Sequence, residues 1–397
     1  MSNAIVEKPS FLKSQVGGLP RPFWALWGGT LVNRLGTMVI PFTGVYLTQS
    51  RGLSLAAAGL VMGVFGAGSL LSQLVAGVLT DRIGRRATLS GGMLATAVMM
   101  LALGYSTTLP AIVASMFLLG LVIDVYRPAS TALVADLVSP AERPRAYGLL
   151  FWGINLGYAV GMTAGGWLAG VGFIWLFWID ALSGVVFAVL VWRAVPETRP
   201  RARHSAGGFG LVLRDRVMLG FTLVMLLDAL VYGQTMTMLP VAMTEVVKLT
   251  PGQFGLAMAL NGVLIVLVQP LVSGWLGRRD PARTFALGMA VMGAGFALTA
   301  FVSSTLGLAV TIAIWTVGEI ITAGIPGAVV AALAPAELRG RYAGLSGFAW
   351  SLAAVLSPLM GGALLEIGPR TLWFTMGGVG VLSAVGMLLL GPAIRRR

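Results

Sequence analysis

Residues 77–89 read "GVLTDRIGRRATL". Apolar runs flank the stretch, at 55–79 and 87–105, and a bilayer-spanning helix needs roughly 20 mostly apolar residues. The stretch is therefore the joint of a membrane hairpin. Its composition goes beyond that of a basic loop. Gly77 lets two helices approach closely, and Gly84 suits a tight turn. Asp81, at a helix end, can pair with an arginine or a helix N-terminus elsewhere in the molecule. A loop that only fixed orientation would need Arg82, Arg85 and Arg86, but neither the aspartate nor both glycines.

The rest of the chain suits that setting. Of 397 residues, 57% are hydrophobic and 10% are charged, against about 25% charged in soluble globular chains. The mean hydropathy is +0.89. With no cysteine there is no disulfide, no thiol chemistry and no thiolate metal site. The single histidine, His204, lies among arginines and cannot alone form a metal site. Residues 1–22 hold no apolar run of the signal-peptide kind and read as a basic tail before a retained first helix.

Twelve candidate spans follow along the chain: 23–48, 55–79, 87–105, 109–132, 146–169, 173–193, 217–243, 252–276, 283–302, 306–331, 342–365 and 371–392. Very short joints such as "GVG" at 170–172 make neighbouring spans helical hairpins. Of the 27 Lys and Arg residues, only Arg51, Lys248 and Arg370 fall in joints of one parity, and Arg34 and Arg127 fall inside helices. The others lie in the tails and in the joints of the other parity. That is the positive-inside pattern, which expects both termini and the 194–216 segment in the cytoplasm of a bacterial inner-membrane protein. The net charge of +13 is thus a topology signal and an anionic-lipid contact. A nucleic-acid partner would ask for a basic face on a soluble domain.

The polar segment 194–216, rich in Arg, Pro and Gly, is a linker. It separates a six-helix unit, 23–193, from a second, 217–392, with a short basic tail at 393–397. The units resemble each other. "SPAERPRAYG" (139–148) recurs loosely as "APAELRGRYAG" (334–344). Gly165 and Gly166 recur as Gly361 and Gly362, and "VIPFTGVYLTQ" (39–49) as "MLPVAMTEVVK" (238–248). "GVLTDRIGRR" has a decayed partner in "GWLGRR" (274–279). Nearly one offset, 196 to 199 positions, relates these matches. Two repeats about an axis normal to the membrane describe a transporter that holds substrate between its halves.

The 77–89 joint resembles the G-x-L-x-D-R-x-G-R-[KR] signature of the major facilitator superfamily. Gly77, Leu79, Asp81, Arg82, Gly84, Arg85 and Arg86 all match. The resemblance covers the whole chain and implies an all-α fold of twelve transmembrane helices in two pseudo-symmetric halves. It also implies that this joint latches the halves on the cytoplasmic side. The fifth helix resembles the antiporter pattern G-x8-G-x3-G-P-x2-G-G through Gly148, Gly157, Gly161, Gly165 and Gly166, with Met162 at the proline position. "RPASTALVADLVSPAER" (127–143), "YGQTMTMLP" (232–240) and "ALNGVLIVLVQP" (259–270) are similar to the bacterial drug:proton antiporter branch. Peptide transporters carry E-x-x-E-R in helix 1. Here Thr30, Asn33 and Arg34 occupy that region, without the glutamates.

Charges within the spans mark functional candidates, because each must face a cavity, find a partner or be neutral. Arg34 and Arg127 are expected as cavity or gate charges, and Asp124, one helical turn from Arg127, pairs with it or with Arg34. Asp180, nearer the outer side, reads as structural. Asp228 and Glu319 lie at mid-depth with no cation on their own helices. A carboxyl in low polarity resists carrying charge, so it can load and release protons as its exposure changes. Glu319, Asp228 and Asp124 are the proton-coupling candidates. Asn33, Tyr126, Trp152, Asn155, Tyr232, Gln234, Asn261, Trp315 and Trp350 are the candidate cavity lining.

The chain thus reads as a monomeric, proton-coupled secondary transporter exporting amphipathic or cationic small molecules. It is not an enzyme, and it needs no cofactor beyond the proton gradient. No G-x4-G-K-[ST] loop supports drive by ATP. The alternatives are a narrow transporter of one metabolite or lipid-like molecule and, in another class, a membrane sensor or scaffold.

Overall fold

The computed structural model describes residues 18–139, 142–197, 209–335 and 338–396. The side chains of Asp81, Arg82 and Arg127, the detail around Gly77, most of the N-terminal tail and much of the expected linker lie outside the described residues.

Among the described residues, twelve long helical elements run in order, besides short 3-10 helices at Phe209–Arg214 and Thr299–Phe301. α1 joins Arg21–Gly36, Val39–Val45 and a π-helical end, Tyr46–Ser50. α2 is Leu55–Arg82, and α3 is Arg85–Tyr105. α4 joins Leu109–Ile123 to Tyr126–Leu137. α5 is Arg143–Val171, and α6 is Ile174–Ala194. α7 joins Arg216–Gly233, Met238–Val241 and a π-helical end, Ala242–Val246. α8 is Pro251–Leu276, and α9 is Pro281–Leu298. α10 joins Thr305–Thr322 to Ile325–Leu333. α11 is Arg339–Ile367, and α12 is Pro369–Arg395. Among the described residues there is no strand, and nine helices are long and apolar enough to cross a membrane by length and composition.

The sequence reads every span as continuous, and four are not. α1 unwinds at Thr37–Met38, α4 at Asp124–Val125, α7 between Gln234 and Thr237, and α10 at Ala323–Gly324. The cause is in the sequence. Pro41, Pro128, Pro240 and Pro326 follow these breaks closely. A proline has no N–H for the carbonyl four residues back, and its ring crowds that carbonyl. Pro270 and Pro358 sit inside helices that continue. The four broken elements occupy matching places in the two halves.

The halves meet through the unbroken helices, α2 against α11 and α5 against α8. These two contacts are copies. A Cβ built on Gly59 of α2 would strike the Pro358 carbonyl and Gly362 of α11. One built on Gly255 of α8 would strike the Met162 carbonyl and Gly166 of α5. Each partner sits 196 positions from its counterpart. Small residues here let backbones touch, which lipid-soluble helices need for tight association.

Further contacts seal the face remote from the basic joints. The Thr48 hydroxyl of α1 donates to Glu245 Oε1 of α7 at 3.2 Å. The Ala56 N–H, at the start of α2, donates to Glu366 Oε1 of α11 at 2.9 Å. Phe42 meets Phe254 edge-on, with centroids 5.9 Å apart. The turn after each π-helical end is left-handed and also duplicated, with φ 67° at Gly52 and φ 64° at Lys248.

Candidate functional site

Glu319 lies one turn before the break in α10, half-buried, where three other helices converge. Asn261 of α8 reaches across with Nδ2, which donates to Glu319 Oε2 at 2.8 Å and to Thr316 Oγ1 at 3.0 Å. The Tyr232 side chain of α7 also hydrogen-bonds the Glu319 carboxylate. Tyr232 in turn packs edge-on against Trp350 of α11, with centroids 5.8 Å apart. Asp228, one turn before Tyr232, is buried and close enough for its charge to interact with that of Glu319. Among the described residues its carboxyl makes no hydrogen bond. Two carboxylates in one low-polarity region repel, and a bound proton or a cationic ligand relieves that repulsion.

Five residues singled out from the sequence therefore meet: Asp228, Tyr232, Asn261, Glu319 and Trp350. A sixth, Tyr158 of α5, comes from the other half and was missed by the sequence reading. It interacts electrostatically with Glu319, and its hydroxyl faces Met236 Sδ at 4.0 Å, at the break in α7. Its neighbour Ala159 lies against Gly262, the residue after Asn261. One turn of α8 thus holds the carboxylate on one side and touches the opposite half on the other.

Other candidates lie elsewhere. Trp315 is 1% exposed and stacks on Phe296 at 5.8 Å, beside Trp373. It belongs to the apolar core of α9, α10 and α12. Gln234 is fully buried. Its amide donates to Ser357 Oγ at 2.8 Å and to the Ser357 carbonyl at 3.0 Å, which ties the break in α7 to α11. Asn155 is buried and donates to the Phe151 carbonyl of its own helix at 2.9 Å. Trp152 is exposed, and Asn33 is buried with its carbonyl accepting from the Thr37 hydroxyl at 2.8 Å.

The N-terminal half holds a second charged group. Arg34 lies over the Tyr126 ring at 5.1 Å, which joins α1 to α4. Asp180 of α6 interacts with Arg34, and its carboxylate accepts from the backbone N–H groups of Val39 and Met38. It thereby serves orphan donors at the break in α1. Asp124 sits at the break in α4 and accepts from the Ser69 hydroxyl of α2 at 2.5 Å. This mirrors Asn261 of α8 holding Glu319 of α10. In each half the helix that packs against the other half steadies a carboxylate on a broken helix.

The described part of the 77–89 joint is held within its own half. Gly84 adopts φ 97°, a left-handed conformation that favours glycine. Glu197, just beyond α6, accepts from the N–H groups of Arg86 and Ala87 at 3.0 Å each and so caps α3. Arg86 lies over Trp192 at 4.6 Å, and Arg85 pairs with Asp136 of α4. In the other half Asp280 caps α9 through the Arg283 N–H at 2.8 Å and pairs with Arg395 at 2.8 Å.

Comparison with known proteins gives a consistent set. The family model described as Major Facilitator Superfamily matches residues 26–246 and 221–397. A Na(+), Li(+), K(+)/H(+) antiporter of Planococcus maritimus is 24% identical over 388 residues, 89% of each chain. The multidrug resistance protein MdtH of Edwardsiella ictaluri is 27% identical over 365 residues, 87% of this chain and 88% of the relative. Among solved structures, a POT family transporter in complex with 5-aminolevulinic acid superposes with a TM-score of 0.81 at 15% identity, over 96% of this chain and 98% of that one. The nucleoside transporter NupG gives 0.79 at 14% identity, over 93% and 99%.

Proposed function

The chain belongs to the Major Facilitator Superfamily, and from that premise we propose that it is a proton-coupled antiporter that expels amphipathic or cationic small molecules. That it is a transporter and not an enzyme follows from the family. The finer reading rests on one observation: Glu319 is held at mid-depth by Asn261 and Tyr232, with Asp228 beside it and Tyr158 facing it from the other half. A cation docking among Tyr232, Trp350 and the two carboxyls would relieve their repulsion and gain from the aromatic faces. A proton arriving at the same carboxyls would displace it. Cation and proton then compete, and the gradient of one drives the other.

Alternating access needs one side closed at a time. With α1 bonded to α7 and α2 to α11 on the far face, this conformation suits loading from the basic side. On this reading the membrane is the bacterial cytoplasmic membrane, both termini and the linker are cytoplasmic, and a monomer suffices. The bias of Lys and Arg supports that orientation. The relatives named for multidrug resistance and for cation/proton antiport support the direction and the coupling.

The test is transport into proteoliposomes under an imposed pH gradient, with organic cations, Na+, Li+, K+, anions and neutral amphiphiles as cargo. The expected result is pH-driven flux of several organic cations, abolished in Glu319→Gln. Flux indifferent to the pH gradient would remove the coupling. Saturable flux of a single compound would favour the narrow-range transporter instead.

A further inference from the structure

Between α3 and α6, at the end bearing the basic joints, runs an open groove of about 450 Å³. Its floor is small: Ala87, Ser90, Gly91 and Ala188. The one hydroxyl there is already used, since Ser90 Oγ donates to the Ala188 carbonyl at 3.1 Å. Space is open over Gly91, where an added Cβ would meet no atom within 4 Å. The groove is therefore apolar along its length, and it extends inward from the helix ends by about two turns, roughly 10 Å at 1.5 Å per residue. Its mouth has the opposite character. Trp192 is exposed there with the Arg86 guanidinium over its ring. Arg193, in the last turn of α6, is exposed and has no partner among the described residues.

We propose that this groove binds one anionic glycerophospholipid of the leaflet on the basic side. An acyl chain would lie on Gly91 and Ala188, with the phosphate at Arg193. An apolar trough that ends in the Arg193 guanidinium and an interfacial tryptophan, with Arg86 behind that ring and 4.0 Å from Glu197 Oε2, matches such an amphiphile in order, from chain to glycerol to anion. A zwitterionic lipid would satisfy the trough but bring its own cation to the arginines. The neighbouring contacts give the site a consequence. Arg86 and Ala87 are the residues whose N–H groups Glu197 caps, so a lipid seated there bears on the 77–89 joint.

The test uses the full chain purified in mild detergent and native mass spectrometry against added phosphatidylglycerol or phosphatidylethanolamine. Phosphatidylglycerol is expected to stay bound at one copy through washing. Arg193→Gln and Gly91→Leu should each weaken its retention about fivefold, and Arg370→Gln on the far face should not. A fivefold change is about 1 kcal/mol. A Leu at 91 points into open space, so thermal unfolding should stay at the wild-type value and separate site loss from misfolding. Equal retention of the two lipids overturns the anionic assignment. Unchanged retention in Gly91→Leu overturns the groove. An equal loss in Arg370→Gln reduces the effect to diffuse charge attraction and overturns the site.

Discussion

Asn261 is the residue on which the candidate site turns. Its amide satisfies Glu319 and Thr316 together, and a hydrogen bond to a charged group contributes about 1.5–3 kcal/mol. Asn261→Leu should therefore cut proton-coupled flux by about ten- to a hundredfold while the purified protein still folds, as read from initial rates and helical content. Wild-type flux in this variant would strip Asn261 of the role. Asp280 offers a prediction outside the membrane. The N–H of Arg283 and then the Arg395 guanidinium hold its carboxyl below the ordinary value of 3.8. A folded value below the unfolded one means that the stabilising contribution is complete above pH ~4 and is lost as pH falls through the folded value. Asp280→Asn should thus melt earlier than wild type at pH 7, and the difference should shrink as pH falls below the ordinary carboxyl value of 3.8. A gap that persists in acid would mean that charge is not what Asp280 supplies.

At the scale of elements, the helices and their breaks are both legible in the sequence. Hydropathy and the Lys and Arg bias delimit the helices, because every backbone polar group in lipid must be bonded within its own helix. The breaks were legible too. Prolines at 41 and 240, and at 128 and 326, stand at matching positions of the two repeats. Proline- or glycine-interrupted segments at matching positions are the best pointer to a transport site. Charge type and depth pointed to Glu319 and Asp228. Neither could say that Trp315 turns into the α9–α12 core or that Tyr158 crosses from the other half, since the facing side of a helix depends on tertiary packing. The repeat also exposes one strained turn. Lys248 holds a left-handed φ where the first half has Gly52, and a side chain in that conformation costs about 1–2 kcal/mol. Lys248→Gly should raise thermal stability by about 1 kcal/mol, and Gly52→Ala should lower it comparably. Lys248→Gly melting at or below wild type would mean that the side chain makes good the strain.

For the whole molecule the decisive geometry is the paired interface, Gly59 on α11 and Gly255 on α5. Leucine at either position would push apart helices whose backbones now touch, an overpacking penalty of about 1–3 kcal/mol in the closed far face. Both variants should favour the state open on that side, and by similar amounts. The check is labelling of Val241→Cys, buried where α7 meets α1, in a chain that otherwise lacks cysteine. About tenfold faster labelling in both leucine variants is expected. Acceleration in only one would break the equivalence of the two contacts. That equivalence has a meaning in symmetry. Reduced to one repeat, Gly59 against Gly362 and Gly255 against Gly166 become the same contact made twice. Residue i meets j while j meets i, which is the definition of an isologous interface between identical subunits. The seam sealing this protein thus has the geometry of a two-fold dimer interface, built within one chain from two repeats.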